Sequence, residues 1–260
     1  TNLPSENSFI WKKVLSNNII YSEADFEISD EKANSIVKFL DGHIQTKNFD
    51  SKNINTETSR DLKILFIGNS FSSDSAMYLP AHLKNIAPEI NLTIGIGVVG
   101  GCTLQMHYNY SQNNQPVYFY HKSVGGNKWT TISGKTLQEV ITQDDWDIIS
   151  FQQQSASSRD YATYQPYLNN LVNWVYGLRN NVRLAWLFTP PLPTGGIGMP
   201  SGMTSDQFFQ DMTVAVSKVM NETAIELLFP CGTAIQNART TTLNDVGGFG
   251  QLTYEGLHLN

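Results

Sequence analysis

Cysteine is nearly missing from this sequence, with only Cys102 and Cys231 among 260 residues. Two thiols cannot build a disulfide scaffold or a four-cysteine zinc site, although one bridge between them stays open. The simpler reading makes each a small buried apolar residue. Charge is scarce too, at 15% of residues, and the basic sign is the rarer: 17 Lys and Arg against 23 Asp and Glu, a net charge of −6. The basic residues are scattered instead of gathered in a stripe, so no nucleic-acid partner is expected. No apolar run approaches the roughly 18 residues needed to cross a bilayer. The five histidines are isolated, no metal-ligand spacing stands out, and no internal repeat is visible.

What is present is a globular composition, 40% hydrophobic and 11% aromatic, in a chain long enough to bury one large core. Residues 1–60 differ from the rest, being rich in Asn, Ser, Asp, Glu and Lys, and read as an appendage. Within it Asp30 can cap a helix whose apolar positions Ala33, Ile36, Val37, Leu40 and Ile44 follow a one-sided spacing. Residues 46–61 read as a linker or a surface excursion. The start at Thr1, with neither initiator Met nor signal peptide, suggests a processed or trimmed chain, and a secreted, periplasmic or cell-surface location is expected.

From Asp61 short apolar runs alternate with longer amphipathic segments: Leu62–Ile67, Ser75–Ala87, Ile90–Val99, Asp147–Phe151, Tyr161–Leu178, Val182–Phe188, Ser205–Met220 and Ala224–Phe229. Apolar runs without polar alternation suit strands of a parallel sheet covered on both faces. The expected fold is therefore α/β, a three-layer αβα sandwich over residues 61–260 with the appendage beside it. Two insertions interrupt it. Residues 104–143 read as carrying a β-hairpin, Val117–His121 and Trp129–Ile132 around Gly125-Gly126-Asn127. Residues 189–204 form a Pro/Gly-rich loop. Both are candidate walls of a substrate cleft.

In such sheets reactive groups collect beyond the carboxyl ends of the strands. The exits hold Ile67-Gly68-Asn69-Ser70-Phe71, Val99-Gly100-Gly101-Cys102-Thr103 and Phe151-Gln152-Gln153-Gln154-Ser155, and the chain closes with Tyr254-Glu255-Gly256-Leu257-His258-Leu259. Gly-Asn-Ser is also ordinary turn chemistry. A serine hydroxyl becomes a good nucleophile only when a neighbouring base takes its proton, and a histidine is suited to that. Glu255, three residues before His258, can hold the imidazole in one tautomer. Asp74 can position the loop, or more simply cap a helix starting near Ser75.

In this order the blocks resemble those of the SGNH hydrolases, the GDSL-like esterases and lipases. The nearest likeness is a branch of poorly assigned function with Gly-Asn-Ser-Phe at the nucleophile and paired glutamines at the third block. The resemblance covers residues 61–260, about three quarters of the chain. It implies a flavodoxin-like sheet, a catalytic Ser70, His258 and Glu255, and an oxyanion hole made by the N–H groups of Ser70 and Gly101 with a third donor. That position is usually Asn in the family; here Gln153 is the choice and Gln154 the alternative. Glu255 stands where the family normally has Asp, and Asn69 where it often has Asp. Family members also continue past the histidine into a helix, whose face the stripe at 33–44 is expected to cover.

The function so implied is a serine acylhydrolase cleaving small acyl esters, acetyl groups on carbohydrate being favoured, without metal or cofactor. Tyr108, Tyr110, Tyr118, Tyr120 and Trp129 suit stacking on sugar rings, and Asn69, His107 and Tyr120 are the substrate-contact candidates, with His121 beside them. Aromatics in a hairpin are as often packing, and the histidines read more simply as surface or core residues. The rivals are a catalytically weakened carbohydrate-binding protein on the same fold, and a lipase or thioesterase with an apolar groove lined from residues 189–204.

Overall fold

The apolar run at Leu62 becomes β1 (Arg60–Gly68), buried from Ile64 to Gly68. In the computed structural model the described residues are 60–126, 128–245 and 248–259; the helix expected at 33–44, its packing and the linker lie outside them. Asn69 then starts a helix at once. Its side chain accepts the Phe71 N–H and caps α1 (Ser70–Ala76), and after Met77-Tyr78 the chain forms α2 (Leu79–Ile86). The single helix expected at 75–87 is thus two. Pro80 explains the break, because it fits the first turn of a helix but not an interior.

Next come β2 (Ile90–Val98), α3 (Leu104–Gln112), the hairpin β3 (Tyr118–Val124) and β4 (Trp129–Lys135), and α4 (Leu137–Thr142). Thr103 caps α3 by accepting the Met106 N–H. Thr136 and Glu139 form a reciprocal capping box on α4. The chain continues through β5 (Ile148–Phe151), α5 (Tyr167–Leu178), β6 (Arg183–Leu187), α6 (Ser205–Glu222), β7 (Leu227–Phe229) and α7 (Cys231–Arg239). The helical segment expected from Tyr161 begins instead with a short 3-10 turn, and α5 starts only after Pro166.

The seven strands form one sheet in the order β4-β3-β2-β1-β5-β6-β7. β1, β2, β5, β6 and β7 run parallel, and the hairpin adds antiparallel to the edge of β2. The parallel strands therefore follow the flavodoxin-like order, which reverses direction between β1 and β5. Alternate residues of β1 feed two cores. Leu65 and Ile67 pack in the layer of α3 to α6, whereas Ile64 and Phe66 join Ala76, Met77, Leu83 and Cys231 on the other face. This is the expected three-layer sandwich. Among the described residues no helix is long and apolar enough to cross a membrane, and no His, Cys, Asp and Glu cluster suited to a metal occurs.

Candidate active site

The reversal of strand order places the turns after β1 and β5 side by side, at the crevice where open parallel sheets present their reactive groups. Ser70 is the first residue of α1, so its N–H is one of the helix-start donors with no partner inside the helix. Asn69 ties this turn to the next strand exit. Its Oδ1 accepts the Phe71 N–H at 3.0 Å and its Nδ2 donates to the Cys102 carbonyl at 3.2 Å. Gly101, just before that carbonyl, has φ +62° and open space where a Cβ would stand, so a backbone N–H can be presented there without a side chain in front.

The terminal segment supplies the other two groups. His258 Nε2 lies 2.8 Å from Ser70 Oγ. Glu255 Oε1 accepts the His258 backbone N–H at 3.1 Å and also hydrogen-bonds the ring Nδ1. A carboxylate at Nδ1 fixes the tautomer that carries its proton there, which leaves Nε2 to accept from the Ser70 hydroxyl. Phe71 and Tyr254 flank the imidazole, with ring centroids 5.8 Å and 6.1 Å away. Burial opposes ionisation of Glu255, but the hydrogen bonds from the His258 ring and backbone outweigh it and hold the carboxyl below its ordinary value. The His258 and Glu255 side chains keep 24% and 31% of their surface, enough for a small molecule to reach them.

Residues 189–204 brace this segment. The Ile197 N–H donates to the Gly256 carbonyl at 2.9 Å, and Thr194 exchanges hydrogen bonds with the Gln251 side chain. Gly196 is required for the contact, since a Cβ there would lie 2.3 Å from Gly256 O. Arg239 ties the loop to the residues before the terminal turn: its guanidinium donates to the carbonyls of Gln251 and Pro191, to Ser205 Oγ and to Gln236 Oε1. The loop expected as a cleft wall thus also supports the segment that carries His258.

Several expected contacts are corrected. Gln153 is 1% exposed, and both N–H groups of its amide go to Thr163, to the carbonyl and to Oγ1. Its Oε1 accepts from Leu104 and Gln154. These bonds make the amide a brace between strand exits and commit its nitrogen to Thr163. Gln154 stays half-buried at the same exit, its Oε1 accepting the Ser157 N–H. Asn69, expected to touch substrate, is buried in the turn it organises. His107 is fully buried, stacks on Tyr118 and shares a 2.7 Å hydrogen bond with its hydroxyl; burial pushes its pKa down to about 3. Tyr120 is buried with Tyr118 under the sheet edge. His121 bonds Thr131 within the hairpin. Cys102 and Cys231 are both free thiols, and burial raises the Cys102 thiol to about 12, where it is no nucleophile.

Asp74 is placed differently from expectation. It sits inside α1 instead of capping a helix, one turn beyond Ser70. Burial raises its pKa, while the neighbouring His258 and the Leu259 N–H oppose that rise. The capping signal at Asn69 was the readable clue to both facts, because a helix starting at residue 70 puts residues 70 and 74 on one face.

A solved structure of a DUF4886 family protein from Bacteroides uniformis ATCC 8492 is 30% identical, with a TM-score of 0.69 over 77% of this chain and 76% of that one. A candidate SGNH hydrolase from Slackia heliotrinireducens is 17% identical, with a TM-score of 0.47 over 77% of this chain and 91% of that one. A candidate GDSL-like lipase from Parabacteroides merdae ATCC 43184 is 13% identical, with a TM-score of 0.47 over 80% and 91%. No curated protein matches the chain. With a family model matching residues 63–260, the chain belongs to DUF4886, a domain of unknown function.

Proposed function

We propose that this protein is a serine acylhydrolase that cleaves small acyl esters through an acyl-enzyme. The observation that carries the reading is the continuous chain from Glu255 through His258 to Ser70, with Nε2 at 2.8 Å from Oγ. In the proposed reaction Ser70 Oγ attacks the ester carbonyl as its proton passes to His258 Nε2, and Glu255 stabilises the imidazolium so formed. Charge on the carbonyl oxygen develops toward the N–H groups of Ser70 and Gly101, with Gln154 the alternative candidate for the third donor. His258 then returns its proton to the leaving alkoxide. Water attacks the acyl-enzyme by the reverse sequence, releasing the acid and restoring Ser70.

Acetyl groups on carbohydrate remain the favoured substrate. One observation favours a weakened enzyme: the Gln153 amide is spent on Thr163. Hydrolysis of p-nitrophenyl acetate by wild type, Ser70→Ala and His258→Ala separates the readings. The expected result is loss of at least about a thousandfold in both variants; equal rates in all three proteins reject the serine mechanism.

A further inference from the structure

One carboxyl beside the base is left unused by the proposed reaction. Asp74 sits half-buried within α1, and its Oδ2 is shut off from solvent with no hydrogen-bond partner among the described residues. A carboxyl placed so is unfavourable unless its other contacts compensate. Burial raises its pKa, against the pull of the His258 ring and of the Leu259 N–H that hydrogen-bonds to it, and the Glu255 carboxylate adds to the rise. Tyr254, whose hydroxyl hydrogen-bonds to Glu255, also feels the Asp74 charge. These titratable neighbours, His258, Glu255 and Tyr254, all belong to the terminal segment.

The bonds of that segment show what Asp74 adds. The Tyr254 N–H to the His258 carbonyl and the bridge between Thr253 and Leu259 lie within residues 253–259, and the Ile197 N–H to the Gly256 carbonyl holds the segment to the loop at 189–204. None of these reaches α1, the helix that carries Ser70. Two hydrogen bonds among the described residues do: His258 Nε2 with Ser70 Oγ at 2.8 Å, and the Leu259 N–H with Asp74. Ser70 and Asp74 stand at i and i+4, on one face of the helix and about 6 Å apart along its axis. Their partners, His258 and Leu259, are consecutive in the chain. A single point of attachment leaves a segment free to swing about it; two points a helical turn apart fix its direction.

We propose that Asp74 is a positioning residue for the acyl transfer: it clamps the backbone beside His258 to the helix that carries Ser70, and so sets the distance and direction between base and nucleophile. The proposal rests on the serine acylhydrolase reading. Glu255 orients the imidazole within its own turn, through Nδ1 and the His258 N–H, whereas Asp74 places that turn against α1. Two carboxylates thus serve one histidine, each from a different element.

Three substitutions separate the tie from the volume of the side chain. Asp74→Asn keeps an oxygen that can accept the Leu259 N–H, Asp74→Leu has nearly the same shape without an acceptor, and Asp74→Ala is smaller and also lacks one. In Asp74→Leu and Asp74→Ala, kcat on p-nitrophenyl acetate should fall about a hundredfold with KM unchanged, the scale of a misplacement of about 1 Å. Asp74→Asn should stay within about tenfold of wild type, since the tie survives and only the charge is lost. Hydrogen exchange at the Leu259 amide, read by NMR on the full chain, follows the same tie without turnover. It should quicken about tenfold or more in Asp74→Leu and stay near wild type in Asp74→Asn, as expected for loss of a hydrogen bond to a charged group. Unchanged kcat in all three variants, equal losses in Asn and Leu, or a loss that appears in KM would overturn the positioning role. So would a Leu259 amide that exchanges equally fast in every protein. Ester hydrolysis that survives Ser70→Ala would reject the serine reading alone, because the exchange measurement does not depend on it.

Discussion

The imidazole of His258 is held on every side that a proton-transfer base requires. Glu255 grips Nδ1, Ser70 meets Nε2, and Phe71 and Tyr254 limit rotation of the ring. The longer Glu does not push the carboxylate out of reach, because its Oε1 also receives the His258 backbone N–H within the same tight turn. Glu255→Gln should lower kcat about a thousandfold on p-nitrophenyl acetate while keeping the fold, since an amide can stabilise the wrong tautomer. The pH dependence of stability has a definite sign. A carboxyl held below its ordinary value contributes stability that is complete above that ordinary value and lost as pH falls through the folded one. The melting-temperature gap between wild type and Glu255→Gln should therefore be full at neutral pH and close under acid; a gap independent of pH would contradict the pairing. Of these residues, Ser70 is legible in the sequence because an apolar run ends at Gly68-Asn69-Ser70, and Glu255 and His258 because an acid and a base stand three residues apart in the closing segment, in the block order that the chain resembles. Gln153 and Asn69, expected at the oxyanion and the substrate, bond elsewhere in the structure for one reason. An amide bonds equally well to backbone and to substrate, and only the position of Thr163 or Cys102 decides between them.

At the scale of elements, the segment 254–259 has little regular structure of its own and depends on its neighbours for position. It is joined by an isolated bridge between Thr253 and Leu259, by Ile197 to the Gly256 carbonyl, and by Arg239 to the Gln251 carbonyl. Gly196→Ala should therefore act at a distance. A methyl 2.3 Å from Gly256 O forces the loop and the terminal turn apart, and kcat should fall with only about 1–3 kcal/mol lost in stability, the usual range for overpacking. Unchanged activity would show that the loop does not set the histidine. Elements with long apolar runs, β1, β2, β5, β6 and α6, are legible within a few residues because burial on one stripe or two faces leaves a periodic trace. The short helices α1, α3, α4 and α7 are not. Their sequences are mostly polar, and only the caps at Asn69, Thr103 and the Thr136–Glu139 box mark α1, α3 and α4.

For the whole molecule, the flavodoxin-like strand order follows from alternation of strands and helices, but the fate of the insertion at 104–143 does not. Its hairpin widens the sheet beyond β2, which turns Tyr118 and Tyr120 into core and leaves Trp129 as the aromatic that lines a cleft. The same topology explains how residues from opposite ends of the domain meet, since Ser70 and His258 are 188 positions apart yet both belong to the crevice beyond the β1 and β5 carboxyl ends. The central claim is that this convergence makes Ser70 an activated nucleophile. A fluorophosphonate reagent, followed by intact-mass measurement and peptide mapping, reads this directly and without knowledge of the substrate. A single adduct on the peptide bearing Ser70, absent in Ser70→Ala and strongly slowed in His258→Ala, is the predicted result; an unlabelled protein, or an adduct on another serine that forms equally fast without His258, would contradict the account.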